Sequence, residues 1–155
     1  MKRVNLRKAL PTAYEAVFNL NKTIDEAVIA AGISKGFSHL LLLRASLINQ
    51  CAFCLRMHTR DALEAGESND RISVLGAWRE TEYFDEKERA CLALVEAITT
   101  ISIGQISDAV YAEAAETLSD QEIAAVEWLG IAINIWNRIA IASRYPVAEP
   151  QSPPD

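Results

Sequence analysis

The chain has 155 residues, 50% of them hydrophobic, and a formal net charge of −6. Its length is that of one domain with a buried core. Nucleic acids and anionic membranes both favour basic surfaces, and the chain contains no extended run of Lys or Arg. We therefore expect neither a nucleic acid nor a membrane as a partner.

The most apolar stretch, residues 123–142, approaches the length of a membrane span. Polar residues interrupt it and would be costly in hydrocarbon, so a long core or interface helix is the better interpretation. No apolar segment typical of a signal peptide follows the basic N-terminal stretch, and three cysteines do not make a disulfide framework. We expect a cytoplasmic, reducing location, in which any disulfide is functional.

Helix signals recur along the chain. Thr12 and Glu15 have the spacing of a capping box and predict the start of a first helix, which ends before Gly32. Apolar segments at 36–48 and 51–65 predict the next two helices. The glycine that follows the second segment is a typical residue after a helix C-terminus.

Further cap patterns follow in the second half of the chain. Ser68 is a predicted N-cap of a short helix. Asp85 with Glu88, and Ser119 with Glu122, have the form of two more capping boxes before apolar helical faces. No stretch alternates polar and apolar residues between hairpin turns, so the predicted fold class is all-α.

The domain organisation is predicted from the prolines. Four of the five prolines lie in residues 146–155, where they cannot continue a helix. We expect this segment to be a flexible tail and residues 1–145 to form a single compact helical domain. The apolar final helix favours oligomerisation through a buried interface.

The segment NQCAFCLRMH, residues 49–58, carries the residues best suited to chemistry. Residues three and four apart share a helix face, so Cys51, Cys54 and His58 line up if the helix begins near Cys51. Cβ atoms three residues apart on a helix are separated by about 5–6 Å, and a modest adjustment closes a disulfide. The pair is therefore predicted to cycle between dithiol and disulfide.

Two features favour the thiolate of Cys54. One is a helix N-terminus, which stabilises an anion, and the other is His58, placed to take the proton. Attack on a hydroperoxide would give a sulfenic acid on Cys54, which Cys51 resolves as a disulfide before an external dithiol restores both thiols. The spacing also permits exchanged roles. His39 could fold back onto His58 across a tight turn and extend a proton relay.

The run LRASLINQCAFC at 43–54, continued by MHTRDA at 57–62 and Gly-Glu at 66–67, resembles the core motif of the alkylhydroperoxidase D branch of the carboxymuconolactone decarboxylase family. The segments AWRE at 77–80 and NIWNR at 134–138 are also similar to bacterial members. The resemblance implies an all-helical fold and assembly into dimers, trimers or hexamers. It also implies reduction of hydroperoxides or small disulfides, with electrons from a dithiol, a thioredoxin-like protein or a lipoyl-type group, and no cofactor.

The family's pattern also implies roles for individual residues. Its second cysteine is oxidised to a sulfenic acid and its first is the proton donor, which correspond to Cys54 and Cys51. A histidine four residues beyond the second cysteine corresponds to His58. The pattern has a glutamate twelve residues before the first cysteine, where this chain has His39. We expect His39 either to replace that carboxylate as a base or to weaken or redirect the peroxidase activity.

Other interpretations use the same residues differently. Cys51, Cys54, His58 and His39 make a possible two-cysteine, two-histidine zinc set, although three ligands on one helical face converge poorly on a tetrahedral ion. Lactone decarboxylase chemistry is a third alternative, but that branch generally lacks the cysteine pair. His39, beside four leucines, is alternatively a core histidine. Cys91 has no neighbouring cysteine or histidine in the sequence and is expected in the core.

Overall fold

The computed structural model describes residues 3–149, and within that range the chain is helical without a β-strand. The predicted all-α fold class is therefore confirmed. The α-helices are α1 (Leu6–Ala9), α2 (Pro11–Ala30), α3 (Lys35–Ile48), α4 (Ala52–Glu64), α5 (Asn69–Val74), α6 (Glu86–Thr99), α7 (Ile101–Gly104), α8 (Asp108–Thr117) and α9 (Asp120–Ser143), and a 3₁₀-helix spans Leu75–Glu80.

Two of the predicted capping boxes are formed. The Asp85 side chain accepts a hydrogen bond from the backbone N–H of Glu88, and the Glu88 carboxylate accepts one from the backbone N–H of Asp85. Ser119 and Glu122 make the same reciprocal pair at the start of α9. The predicted N-cap Ser68 likewise accepts a hydrogen bond from the backbone of the helix that it precedes.

The capping box predicted at Thr12 and Glu15 is wrong. Helix α2 begins at Pro11, the residue before Thr12, and its N-cap Leu10 makes no side-chain hydrogen bond. Proline is pre-organised for the first helical position because its φ angle is fixed and its missing N–H is not needed there. Thr12 therefore lies inside the helix, where it cannot act as the cap.

Helix α3 lies at the centre of the packing and contacts α4, α6 and α9. Leu40 and Leu41 of α3, Leu92 and Leu94 of α6 and Leu129 of α9 are almost fully buried in one large apolar cluster. Burial of such a side chain contributes about 1.5–3 kcal/mol relative to leaving it exposed. The apolar stretch 123–142 lies within α9 and is a core helix, as expected.

Among the described residues, no helix combines the length and the apolar character needed to cross a membrane. Residues 146–149 at the start of the predicted tail have no regular secondary structure. The rest of that tail, 150–155, lies outside the described residues, so its flexibility and the boundary of the domain stay predictions.

The turn between α3 and α4 sets the position of the cysteines. Gln50 has φ 55°, in the left-handed region. Its backbone N–H donates to the carbonyl of Leu47, and the backbone N–H of Cys51 donates to the carbonyl of Ser46. This is the Schellman pattern of a helix C-terminus, in which glycine is the usual left-handed residue. The motif reverses the chain within the three residues 49–51 and places α4 beside α3.

Candidate redox site at the start of helix α4

Cys51 and Cys54 lie together at the N-terminus of α4. Cys51 is the N-cap residue, and Cys54 is the third residue of the helix. Their Sγ atoms are 2.8 Å apart, both thiols are free, and the two residues are 1% and 2% exposed. The shared face that the spacing predicts therefore brings the two sulfurs into contact.

Burial opposes ionisation of Cys54. It raises the pKa of the Cys54 thiol to about 12, and the hydrogen bond and charge of Cys51 act in the same direction. A hydrogen bond from Asn137 lowers this pKa by less. In this reduced state burial therefore opposes the thiolate that the helix N-terminus and His58 are expected to favour.

Asn137 of α9 is the residue at this site that sequence reasoning missed. Its side chain is fully buried, its Oδ1 accepts from Asn49 Nδ2 at 2.8 Å, and its Nδ2 donates to Ser46 Oγ at 3.1 Å. Ser46 in turn donates to the carbonyl of Leu42 at 2.8 Å, so its oxygen is the acceptor toward Asn137. These bonds fix the orientation of the amide.

A signal for this residue was present in the sequence. Asn134 and Asn137 interrupt the apolar stretch 123–142 and lie three residues apart. Buried polar side chains are almost always hydrogen-bonded, so polar residues three apart on a core helix indicate a buried polar network. Asn49 joins both of them, since its Nδ2 also donates to Asn134 Oδ1 at 2.9 Å.

The two histidines meet as the predicted turn requires. His39 on α3 and His58 on α4 have ring centroids 5.6 Å apart. Burial and, to a lesser extent, the charge of His39 lower the pKa of His58 to about 4, although Asp61 opposes both effects. Burial also lowers the pKa of His39. Both imidazoles are therefore neutral at pH 7.

The histidines and the cysteines form two adjacent clusters. Within residues 3–149, no hydrogen bond joins His58 to Cys54, and the Nδ1 atoms of His39 and His58 are buried without a hydrogen-bond partner. His58 Nδ1 lies 3.5 Å from Asp61 Oδ2. The ion pair expected between Cys54 and His58 is therefore not formed in this state.

The predicted two-cysteine, two-histidine zinc set is not brought together. Among the described residues, the potential ligand atoms that lie within 4.8 Å of one another belong to His39, His58 and Asp61. The two cysteines are not part of this group, because their sulfurs face each other at the N-terminus of α4.

A cavity of about 300 Å³ adjoins Cys51. Phe53 and Tyr145 stand in its wall with their rings edge to face at 5.1 Å, and Arg3 and Arg144 contribute positive charge. Of the two thiols, only Cys51 is among the residues that line this cavity. Its lining comprises Arg3, Cys51, Ala52, Phe53, Ala140, Ile141, Arg144, Tyr145 and Val147.

Cys91 lies apart from this site. It is 3% exposed, belongs to the large apolar cluster, and has its pKa raised to about 12 by burial. The expectation that Cys91 is a core residue is confirmed.

Comparisons with known proteins agree with the helical fold. The model of the Carboxymuconolactone decarboxylase family matches residues 11–97. The uncharacterized protein YdfG of Bacillus subtilis (strain 168) is 32% identical over 140 residues, covering 90% of this chain and 92% of that protein. The fold is also similar to that in a crystal structure of an Agrobacterium tumefaciens protein, with a TM-score of 0.84 and 38% sequence identity. The match covers 96% of this chain and 100% of that one. That protein is described as being of unknown function and provisionally as the antioxidant defence protein AhpD. Since the family model spans more than half of the sequence, the chain belongs to the carboxymuconolactone decarboxylase family and has an AhpD-like fold.

Proposed function

We propose that the protein is a thiol oxidoreductase that reduces hydroperoxides or small disulfides through Cys51 and Cys54. The observation that carries the proposal is the 2.8 Å separation of the two free thiol sulfurs at the start of a helix. A disulfide bond is about 2.05 Å long, so these atoms need to approach by only about 0.8 Å more. Membership of a family with AhpD-like relatives supports the same chemistry.

The reaction with a hydroperoxide has three steps. The sulfur of Cys54 attacks the outer peroxide oxygen, the O–O bond breaks, and an alcohol leaves with a proton while Cys54 becomes a sulfenic acid. The thiol of Cys51 attacks that sulfur, the S–S bond forms, and water leaves. An external dithiol then exchanges with the disulfide, which restores both thiols and oxidises the donor.

The proton of Cys54 must leave during the attack, because burial raises the pKa of this thiol to about 12. The buried amide of Asn137 supports the developing thiolate through its free N–H. We assign removal of the proton to His58, which is neutral at pH 7 and lies four residues further along the same helix. His39 would extend this relay in place of the glutamate of the family's pattern.

The cavity favours different roles for the two sulfurs during reduction. Because it is lined by Cys51 and not by Cys54, we assign the mixed disulfide with the external dithiol to Cys51. The aromatic wall and the two arginines suit a donor or substrate with an apolar body and a negative charge. A thioredoxin-like protein or a lipoyl-type group, in a reducing cytoplasmic compartment, is the proposed electron donor.

The predicted homo-oligomer of two, three or six subunits also remains part of the proposal. Large apolar side chains are exposed on two helices. Trp128 and Ile131, three residues apart on α9, are 49% and 41% exposed, and Ile103 of α7 is 86% exposed. Clustered exposed apolar surface is typical of protein interfaces. Light scattering of the purified chain tests this assembly.

The dithiol mechanism is tested by mass spectrometry of the intact protein. Reduced protein mixed with an organic hydroperoxide should lose two hydrogens, and dithiothreitol should return them. The Cys51→Ser variant should stop at a sulfenic acid that dimedone traps, whereas Cys54→Ser should not form one. The Cys91→Ser variant is the matched control and should behave as the unsubstituted protein. An unchanged mass, or a Cys54→Ser variant that is oxidised at the full rate, would refute the proposed mechanism.

A further inference from the structure

His39, His58 and Asp61 form a compact cluster between α3 and α4. One potential ligand atom of each residue lies within 4.8 Å of the others. His58 and Asp61 are three residues apart and share a face of α4, and His39 meets them from α3. The cluster is therefore held by two helices that pack directly against each other.

The ring nitrogens of this cluster are available for a ligand. Nδ1 of His39 and Nδ1 of His58 are both buried, and neither has a hydrogen-bond partner among the described residues. The His58 side chain is only 10% exposed, and its Nδ1 is 3.5 Å from Asp61 Oδ2, beyond a good hydrogen bond. Buried polar atoms are normally satisfied, so two unsatisfied nitrogens in one cluster need a chemical explanation.

The donor set suits a divalent transition-metal ion. Two imidazole nitrogens and one carboxylate oxygen are the ligands of many three-residue zinc sites, which leave a fourth position for water or a substrate. Such ligands lie about 2.0–2.2 Å from zinc, so the atoms must draw together from their present separations. Asp61 is able to make this adjustment, because its side chain is 39% exposed.

We infer that His39, His58 and Asp61 bind a divalent ion of the zinc class at a site separate from the cysteine pair. The inference goes beyond the proposed function and does not depend on it. This ligand set contains the carboxylate of Asp61 in place of the two thiols of the zinc set predicted from the sequence. A bound ion would also engage His58, so it should slow oxidation of Cys54 if His58 removes the proton.

The site is tested with cobalt(II), whose visible absorption reports its ligands. The full chain with Cys51→Ser and Cys54→Ser excludes the thiol pair, and Cys91 is buried in the core. We expect one cobalt ion to bind per chain, without a thiolate charge-transfer band, and zinc to displace it. Loss of one ligand, in His39→Gln or Asp61→Asn, should weaken binding by at least about tenfold.

A matched control is available on the same helix. Glu64 of α4 is an exposed carboxylate outside the cluster, and Glu64→Gln should bind cobalt as tightly as its parent. His39→Glu keeps an oxygen ligand and should retain binding, which separates the loss of a ligand from damage to the fold. Circular dichroism checks that every variant is helical.

Three results would overturn the inference. The first is the absence of saturable cobalt binding by the double cysteine variant. The second is unchanged affinity in folded Asp61→Asn together with folded His39→Gln. The third is binding that occurs only when both cysteines are present and shows a thiolate band, since the ion would then belong to the thiols. None of these results bears on peroxide reduction, which is measured without metal.

Discussion

Asn137 of α9 donates a hydrogen bond to Ser46 of α3 across 3.1 Å, although both side chains are fully buried and lie 91 residues apart in the chain. The bond ties the final helix to the helix that precedes the cysteines. A hydrogen bond from the same amide lowers the pKa of the Cys54 thiol. One polar contact thus couples the packing of the core to the reactivity of a thiol.

The Asn137→Ala substitution should affect both properties. Removing the amide deletes two buried hydrogen bonds, to Ser46 and to Asn49, which should lower the free energy of unfolding by about 1–3 kcal/mol. It also removes a donor to the Cys54 thiolate, and a hydrogen bond to a charged group is worth about 1.5–3 kcal/mol. Alkylation of Cys54 by iodoacetamide should therefore slow by about tenfold or more at constant pH.

The control for this substitution is Asn19→Ala on the exposed side of α2. It should change neither the free energy of unfolding nor the rate at which Cys54 is alkylated. Both measurements are made with Cys51→Ser and Cys91→Ser, so that only one thiol reacts. A variant that is destabilised but alkylates at the parent rate would restrict Asn137 to a structural role.

The reactivity of Cys54 should depend steeply on pH. Burial raises its pKa from the ordinary 9.0 to about 12, so the thiolate fraction should rise tenfold per pH unit from neutral pH to the alkaline limit of folding. Alkylation rates of the folded single-thiol protein should follow this slope. The alkylation rate of the urea-unfolded chain should instead level off above the ordinary pKa of the thiol. If the alkylation rate of the folded protein already reached a plateau near pH 7, the fold would stabilise the Cys54 thiolate, and the prediction would be wrong.

Much of the local structure could be predicted because it depends on neighbours in sequence. The cap residues Asp85 and Ser119 determine helix starts through bonds only three residues long. The spacing of Cys51 and Cys54 similarly determines that their sulfurs meet on one face. Helices α7 and α8 were missed, although Ser107 accepts the hydrogen bond of an N-cap before α8.

The electrostatics of the site could not be predicted in the same way. The pKa of Cys54 depends on burial by residues from distant parts of the chain, among them Ala140 of α9. The role of Asn137 likewise depends on which face of α9 meets α3, and periodicity alone does not specify that contact. The meeting of His39 and His58 was predictable only because a short connection of three residues joins their helices.

Glu96 should contribute to stability in a pH-dependent manner. Its carboxylate accepts hydrogen bonds from Trp78 Nε1 at 2.7 Å and from Arg44 and Arg79, which joins α3, α6 and the 3₁₀-helix. Burial alone would raise its pKa, but these hydrogen bonds and the Arg44 charge lower it below 4.5. The stabilisation is therefore complete above pH 4.5 and is lost as the pH falls through the lowered pKa of the folded state.

We expect Glu96→Gln to reduce the free energy of unfolding by about 3 kcal/mol at pH 7, because it leaves partly buried cations unpaired. Urea titrations at a pH below the pKa of Glu96 should show a smaller difference in the free energy of unfolding between the variant and the parent protein. Exposed Glu64→Gln serves as the control and should change stability little. An equal difference at neutral and at acidic pH would show that the carboxylate charge is not the cause.

The final prediction concerns the turn that positions the cysteines. Gln50 occupies the left-handed region at φ 55°, which costs a residue with a side chain about 1–2 kcal/mol. Gln50→Gly removes this strain and adds about 0.5–1 kcal/mol of backbone entropy cost, so the variant should be more stable by about 0.5–1 kcal/mol. Urea unfolding measures the change. The same substitution at Gln121, an exposed position in the first turn of α9, should instead lower stability by about 1 kcal/mol. If both glycine variants are destabilised equally, the Gln50 backbone is not strained, and the turn depends on contacts of its side chain.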